Sequence, residues 1–247
     1  EKEMLEIFNL TKKYNEKVAV DNLSLTVPDG TICAFIGPNG AGKTTTLKSI
    51  AGIIDFEGQI MIDKIDVSLH PMEAKKILAY VPDNPDLYEH LKGIGYLNFI
   101  CDVFGIEKAE RKARIEVYAK RLGIYDDLSS SISSYSHGMK QKLALVSALI
   151  HKPKLLLLDE PFVGLDPVCS HEFKLIMREL ADSKVTIFYS THVLDVAEKI
   201  CDNVAIIKEG KLVAYDTMQN ITKNEGLEQV FLEMASESED KTDESRN

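Results

Sequence analysis

Gly37-Pro38-Asn39-Gly40-Ala41-Gly42-Lys43-Thr44-Thr45 is the stretch that decides the fold. Its spacing is G-x-x-x-x-G-K-[ST]. Glycines let such a loop curl until several backbone N–H groups face one anion, the lysine reaches the β- and γ-phosphates, and the first hydroxyl ligates Mg²⁺. Here Lys43 and Thr44 take those places. Thr31 to Ile36 in front reads as a short buried strand, and the segment from Lys43 to about Ile50 reads as a helix. That helix points its positive dipole end at the same phosphates. Strand, loop and helix together define a phosphate-binding loop, so the chemistry concerns nucleoside triphosphates and all nine residues are candidate contacts.

Around this loop the sequence alternates strands and helices. Met4 to Leu10 and Val18 to Val27 read as an antiparallel β layer closed by Pro28-Asp29-Gly30. Gly58 to Asp66 adds a strand and turn, and Ile77 to Val81 a further apolar run. From about Leu91 to Ile150 the pattern is helical. Strands then follow at 155–158, 185–189, 204–207 and 212–215, with helices from about Asp166 to Leu180 and from Val193 to Ile200. Such alternation predicts an α/β fold with a mainly parallel sheet. An N-terminal antiparallel β subdomain precedes it, and a helical subdomain over about 84–152 is inserted in it. Leu227, Val230, Phe231 and Met234 keep helical spacing and predict a last docked helix. The tail 236–247, mostly Ser, Asp and Glu, is expected to be disordered.

The second half of a site lies in Leu155-Leu156-Leu157-Leu158-Asp159-Glu160-Pro161, a buried strand that ends in two carboxylates. In an open parallel sheet the ligand sits off the carboxyl ends of the strands. Asp159 is therefore expected to meet the Mg²⁺ held by Thr44, and Glu160 to polarise an attacking water.

Bulk properties narrow the partners. The 247 residues carry a net charge of −10 with a pI near 5.2, which argues against a nucleic-acid-binding surface. Cys33, Cys101, Cys169 and Cys201 are scattered, as expected of reduced, mostly buried thiols. His70, His90, His151 and His171 show no metal-site spacing. The longest apolar run, Leu143 to Ile150, is eight residues, far below the roughly 20 of a spanning helix. With no leader pattern at the N-terminus, the expectation is a soluble, cytoplasmic chain whose membrane role, if any, runs through a partner.

Further motifs make a resemblance specific. Tyr135-Ser136-His137-Gly138-Met139-Lys140-Gln141 resembles the signature motif of the ATP-binding subunits of ABC transporters. Gly164-Leu165-Asp166 is similar to that family's D-loop, His192 to its switch histidine, and Tyr14 to the aromatic that stacks on adenine. The resemblance runs from about residue 4 to residue 235. It implies an ATPase that uses ATP and Mg²⁺, with Glu160, His192 and Asp159 catalytic. Tyr14, the loop 37–45, Ser136, Gly138 and Asp166 are then nucleotide contacts. It also implies an ATP-dependent homodimer packed head to tail, with Ser136 and the helix after Gly138 reaching the partner's γ-phosphate. Separate transmembrane permease subunits would anchor it peripherally on the inner face of the cell membrane.

Two departures stand out. Asp83 follows Leu78-Ala79-Tyr80-Val81-Pro82 where the family usually has glutamine. It reads either as a third Mg²⁺ ligand or as a turn residue. With Pro85-Asp86-Leu87-Tyr88-Glu89 behind it, the context resembles a bacterial subgroup of drug and bacteriocin exporters. His137 replaces the signature's first glycine. The competing function is an ABC-type ATPase without a transporter, such as an iron–sulfur assembly factor.

Overall fold

The computed structural model describes residues 2–223 and 225–233, so Met234 and the acidic stretch 236–247 lie outside the described residues. Strands β1 (Glu3–Tyr14) and β2 (Lys17–Pro28) form a long antiparallel hairpin. Next come β3 (Ile32–Ile36), α1 (Lys43–Ile50), β4 (Glu57–Ile62), β5 (Ile65–Asp66), α2 (Pro71–Ile77) and β6 (Leu78–Val81). Three longer helices follow, α3 (Gly93–Val103), α4 (Lys108–Arg121) and α5 (His137–Leu149). The chain then runs through β7 (Leu155–Asp159), α6 (Pro167–Asp182), β8 (Thr186–Thr191), α7 (Leu194–Ile200), β9 (Asn203–Lys208), β10 (Lys211–Thr217) and α8 (Met218–Ile221). A last helix, α9, covers 227–233, with Leu227 fully buried.

Two sheets result. One is antiparallel, in the order β2-β1-β4-β5; the other runs β10-β9-β3-β8-β7-β6. In the larger sheet β9, β3, β8, β7 and β6 are mutually parallel, and only β10 runs antiparallel at its edge. This is the mainly parallel α/β architecture that the sequence predicts. Every residue of β3 and β7 is buried, because a central parallel strand is covered on both faces.

Successive residues serve opposite faces. Ile32, Ala34, Ile36, Leu156, Leu158 and Tyr189 pack into a core shared with α5 and α6. Cys33, Phe35, Leu155, Leu157 and Phe188 pack into a second core with α1 and the antiparallel sheet. The rings of Phe35 and Phe188 meet there with centroids 5.2 Å apart.

Two details depart from the sequence reading. Residues 84–92 form no helix; they run irregularly and are fastened by a bridge from Lys92 to Ser131. Pro85 accounts for part of this, because proline donates no N–H. The short helix α2 was not expected. Pro71 opens it in the first helical turn, where a missing N–H costs nothing. All four cysteines are free and buried. Among the described residues no helix is long and apolar enough to cross a membrane.

Candidate active site

The phosphate loop leaves the carboxyl end of β3 and enters α1 through Gly42, whose φ is +108°. A side chain there is excluded twice over: that φ belongs to glycine, and a Cβ would lie 2.5 Å from the Ala19 carbonyl oxygen. Gly37 is forced by space alone, since its Cβ would come within 2.3 Å of the Ile207 carbonyl oxygen. Lys43 is buried, and its Nζ donates to the carbonyls of Gly37 (2.6 Å) and Pro38 (3.1 Å). Burial lowers its pKa, against the charges of Glu160 and Asp159, which raise it.

Asp159 closes β7 opposite Ser190 of β8. Thr44 donates its hydroxyl to Asp159 Oδ2 at 2.6 Å, and Ser190 donates to Oδ1. The carboxylate is almost fully enclosed, and its pKa is raised, first by burial and then by the charges of Asp83 and Glu160. The next residue, Glu160, has φ +47°, a left-handed conformation uncommon for a non-glycine residue. Its backbone N–H is held there by the Ser190 carbonyl and hydroxyl oxygens, each at 3.2 Å. Its side chain meets His192, with Oε1 2.9 Å from Nδ1 and Oε2 3.4 Å from the backbone nitrogen.

One cleft of about 330 Å³ is lined by Tyr14, Lys17, Ala19, Asn39, Gly40, Gly42, Lys43, Thr44, Thr45, Asp83, Asp159 and Glu160, while Gly37, Pro38, Ala41 and His192 lie outside its wall. Ten of the sequence-derived candidates therefore share its wall. Tyr14 stands at the rim, 46% exposed, with the Lys12 ammonium 5.3 Å from its ring centre. It is no core aromatic. Lys17 and Ala19 were missed, since nothing in the sequence distinguishes them from other residues of the first hairpin.

The chemistry of the cleft fits Mg²⁺ with nucleotide. It offers the hydroxyls of Thr44 and Thr45 and three carboxylates and, among the described residues, no group of three acidic, histidine or cysteine side chains that would cage a metal by themselves. Mg²⁺ is commonly held by one or two protein oxygens plus substrate phosphates. Tyr80, paired with Leu157 two residues before Asp159, has a buried hydroxyl with no hydrogen-bond partner among the described residues. Burial and then the charges of Asp159 and Asp83 push that phenol above its usual range. Asp83 itself is exposed, and one of its oxygens accepts the Asn84 N–H at 2.8 Å, a turn contact that leaves the other free to face the cleft.

Ser136, Gly138 and Asp166 are not part of the cleft wall. Ser136 caps α5, its Oγ accepting the Met139 N–H at 3.2 Å, and it is exposed. Asp166 caps α6 through Cys169 (2.9 Å) and pairs with Lys142 (2.7 Å); these contacts hold its carboxyl below the usual range.

A phosphate loop and a strand-end Asp-Glu pair around one cleft, with His192 against the glutamate, define a phosphate-loop ATPase. Residues 20–163 match the ABC transporter domain family. The protein is 33% identical over 228 residues to the uncharacterised ABC transporter ATP-binding protein YhcH of Bacillus subtilis, covering 91% of this chain and 74% of that one. It is 30% identical over 224 residues to the linearmycin resistance ATP-binding protein LnrL of the same organism, covering 90% and 72%. A solved ATP-binding subunit of an ABC transporter superposes with a TM-score of 0.90 at 32% identity, covering 94% of this chain and all of that one. The chain belongs to the ATP-binding subunits of ABC transporters, and it is an ATPase.

Proposed function

We propose that the chain is the motor of an exporter, hydrolysing ATP in a head-to-tail dimer that drives separate transmembrane subunits on the cytoplasmic face of the membrane. One observation carries the dimer. Among the described residues the cations of the cleft wall are Lys43 and Lys17, with no arginine, while the exposed N-terminus of α5 stands outside it. Ser136 Oγ accepts a hydrogen bond in capping α5, so its own hydrogen is available to an acceptor outside the chain. A second copy turned by a twofold axis would bring Ser136 and the α5 dipole to the γ-phosphate and complete both sites together. Val163 and Val168, both exposed beside the turn before α6, supply apolar surface for such a contact.

Within each site Tyr14 would stack on the base, and the loop 37–45 would wrap the phosphates. Thr44 and Asp159, with Asp83, would hold Mg²⁺, which when bound neutralises charge on the transferring phosphoryl group. Glu160 would take a proton from the attacking water, and His192 would keep its carboxylate in place. Export is supported by the Asp83 context and by a relative named for linearmycin resistance. The direct test of the dimer is the hydrolysis-blocked Glu160→Gln chain. It should run as a dimer on size exclusion with ATP and as a monomer without; a monomer under both conditions would remove the shared site.

A further inference from the structure

The N-terminus of α5 and the turn that leads from Glu160 to α6 touch in three places. Gly138 passes so close that a Cβ on it would lie 2.5 Å from the Gly164 carbonyl oxygen. Gly164, with φ +81°, lies against the His137 ring: a Cβ there would stand 2.7 Å from Cδ2 and 3.3 Å from Nε2. One helical turn on, Lys142 Nζ pairs with Asp166 Oδ2 at 2.7 Å, with the lysine side chain only 15% exposed. The turn itself is anchored at its start. Val163 N–H donates to the Glu160 carbonyl (3.1 Å), and the Phe162 ring stands edge-on to Tyr189 of β8.

We infer that His137 is a positioning residue, which with Lys142 clamps the α5 N-terminus to the turn so that Ser136 and Glu160 of one chain move as one body. A glycine at 137 would leave the space over Gly164 open; the imidazole fills it. The inference rests on the head-to-tail reading, in which Glu160 serves a chain's own ATP and Ser136 the partner's. The clamp then makes the geometry of one site depend on the other, which is coupling through a shared rigid element.

The test uses the full chain with Glu160→Gln, following dimer formation against ATP concentration by analytical ultracentrifugation. His137→Ala and Lys142→Met are each expected to need about tenfold more ATP for half-maximal dimer. Binding of a fluorescent ATP analogue to the monomer should stay unchanged, which separates lost positioning from general damage. In chains that retain Glu160, the Hill coefficient for ATP should fall from about 2 towards 1. Gly164→Ala should be worse than either, and adding His137→Ala should restore part of the loss by removing the ring that the new Cβ strikes. Lys142→Met separates the clamp from direct contact of His137 with a partner, because Lys142 is largely buried. If Glu160→Gln alone fails to dimerise, the head-to-tail reading falls. If it dimerises and the His137 and Lys142 variants do so at the same ATP concentration, the clamp is overturned and that reading stands.

Discussion

His192 holds Glu160 from two directions, Nδ1 at 2.9 Å from one carboxylate oxygen and the backbone nitrogen at 3.4 Å from the other. The histidine follows β8 directly, so the central sheet fixes its backbone, while Glu160 is fixed by Ser190 of the same strand. The carboxylate is thus aimed by Ser190 of β8 and by the histidine just beyond the strand's end, and it faces the cleft.

Glu160→Gln should lower turnover by a factor of about 10² or more and leave ATP affinity nearly intact, since the base is lost and the phosphate contacts are not. His192→Ala should lower turnover by about 10–10², and the double variant should be no slower than Glu160→Gln, because an orienting group matters only while the base is present. Steady-state kinetics with a nucleotide-binding assay reads both. Additive losses would mean that His192 acts on the phosphate independently of Glu160.

Asp83→Asn separates a metal contact from a turn. If the carboxylate faces Mg²⁺, its removal raises the Mg²⁺ concentration for half-maximal hydrolysis, while affinity for metal-free ATP rises or stays level as one negative charge leaves the cleft. Asparagine can still accept the Asn84 N–H, so the turn survives. An unaltered Mg²⁺ dependence would assign Asp83 to the turn alone.

Gly37 and Gly40 should differ sharply although both belong to the loop. An alanine at 37 drives a Cβ to 2.3 Å from a backbone oxygen in β9 and should cost about 3 kcal/mol or more. At Gly40 no atom stands within 4 Å, and only the φ of +79° resists, at about 1–2 kcal/mol. Urea unfolding compares the two. Equal costs would mean that β9 yields to the loop.

Asp63 ties the N-terminus to the core, with Lys2 at 2.6 Å and Lys154 at 2.7 Å from its two oxygens. The lysines, Lys154 before Lys2, pull its pKa below the usual carboxylate value. A depressed folded-state pKa stabilises above the unfolded value and is lost as pH falls through the folded one. Asp63→Asn, which tolerates the local φ of +47°, should therefore cost about 1 kcal/mol at neutral pH. Denaturant midpoints should converge with wild type below the ordinary carboxylate range; a gap that persists in acid would point to packing instead.

The parts of the site that sequence shows are those whose chemistry is local. The loop is legible because Gly37, Gly42 and Lys43 keep a fixed spacing in one short stretch, although the oxygens that exclude a side chain at the two glycines belong to Ile207 and Ala19. Asp159 and Glu160 are legible because an apolar run ending in two acids has few other uses. Ser190, which holds both, comes 31 residues after Asp159 and becomes visible only through the parallel register of β7 and β8. Lys17 and Ala19 reach the cleft because β2 passes beside the loop, a tertiary fact without a local pattern. Asp166 looked like a nucleotide contact by resemblance. Within one chain, its oxygens are taken by Cys169 and Lys142.

The shared site is tested most directly by mixing two inactive chains. Ser136→Arg should spoil the partner's site, and Lys43→Ala its own, so each alone should hydrolyse almost no ATP. In a mixed head-to-tail dimer both lesions fall in one site and the other is intact. Random pairing should then restore roughly one quarter of wild-type turnover, as half the dimers carry one good site of two. A mixture as inactive as its parents, or a Ser136→Arg chain that hydrolyses ATP normally by itself, would contradict the composite site.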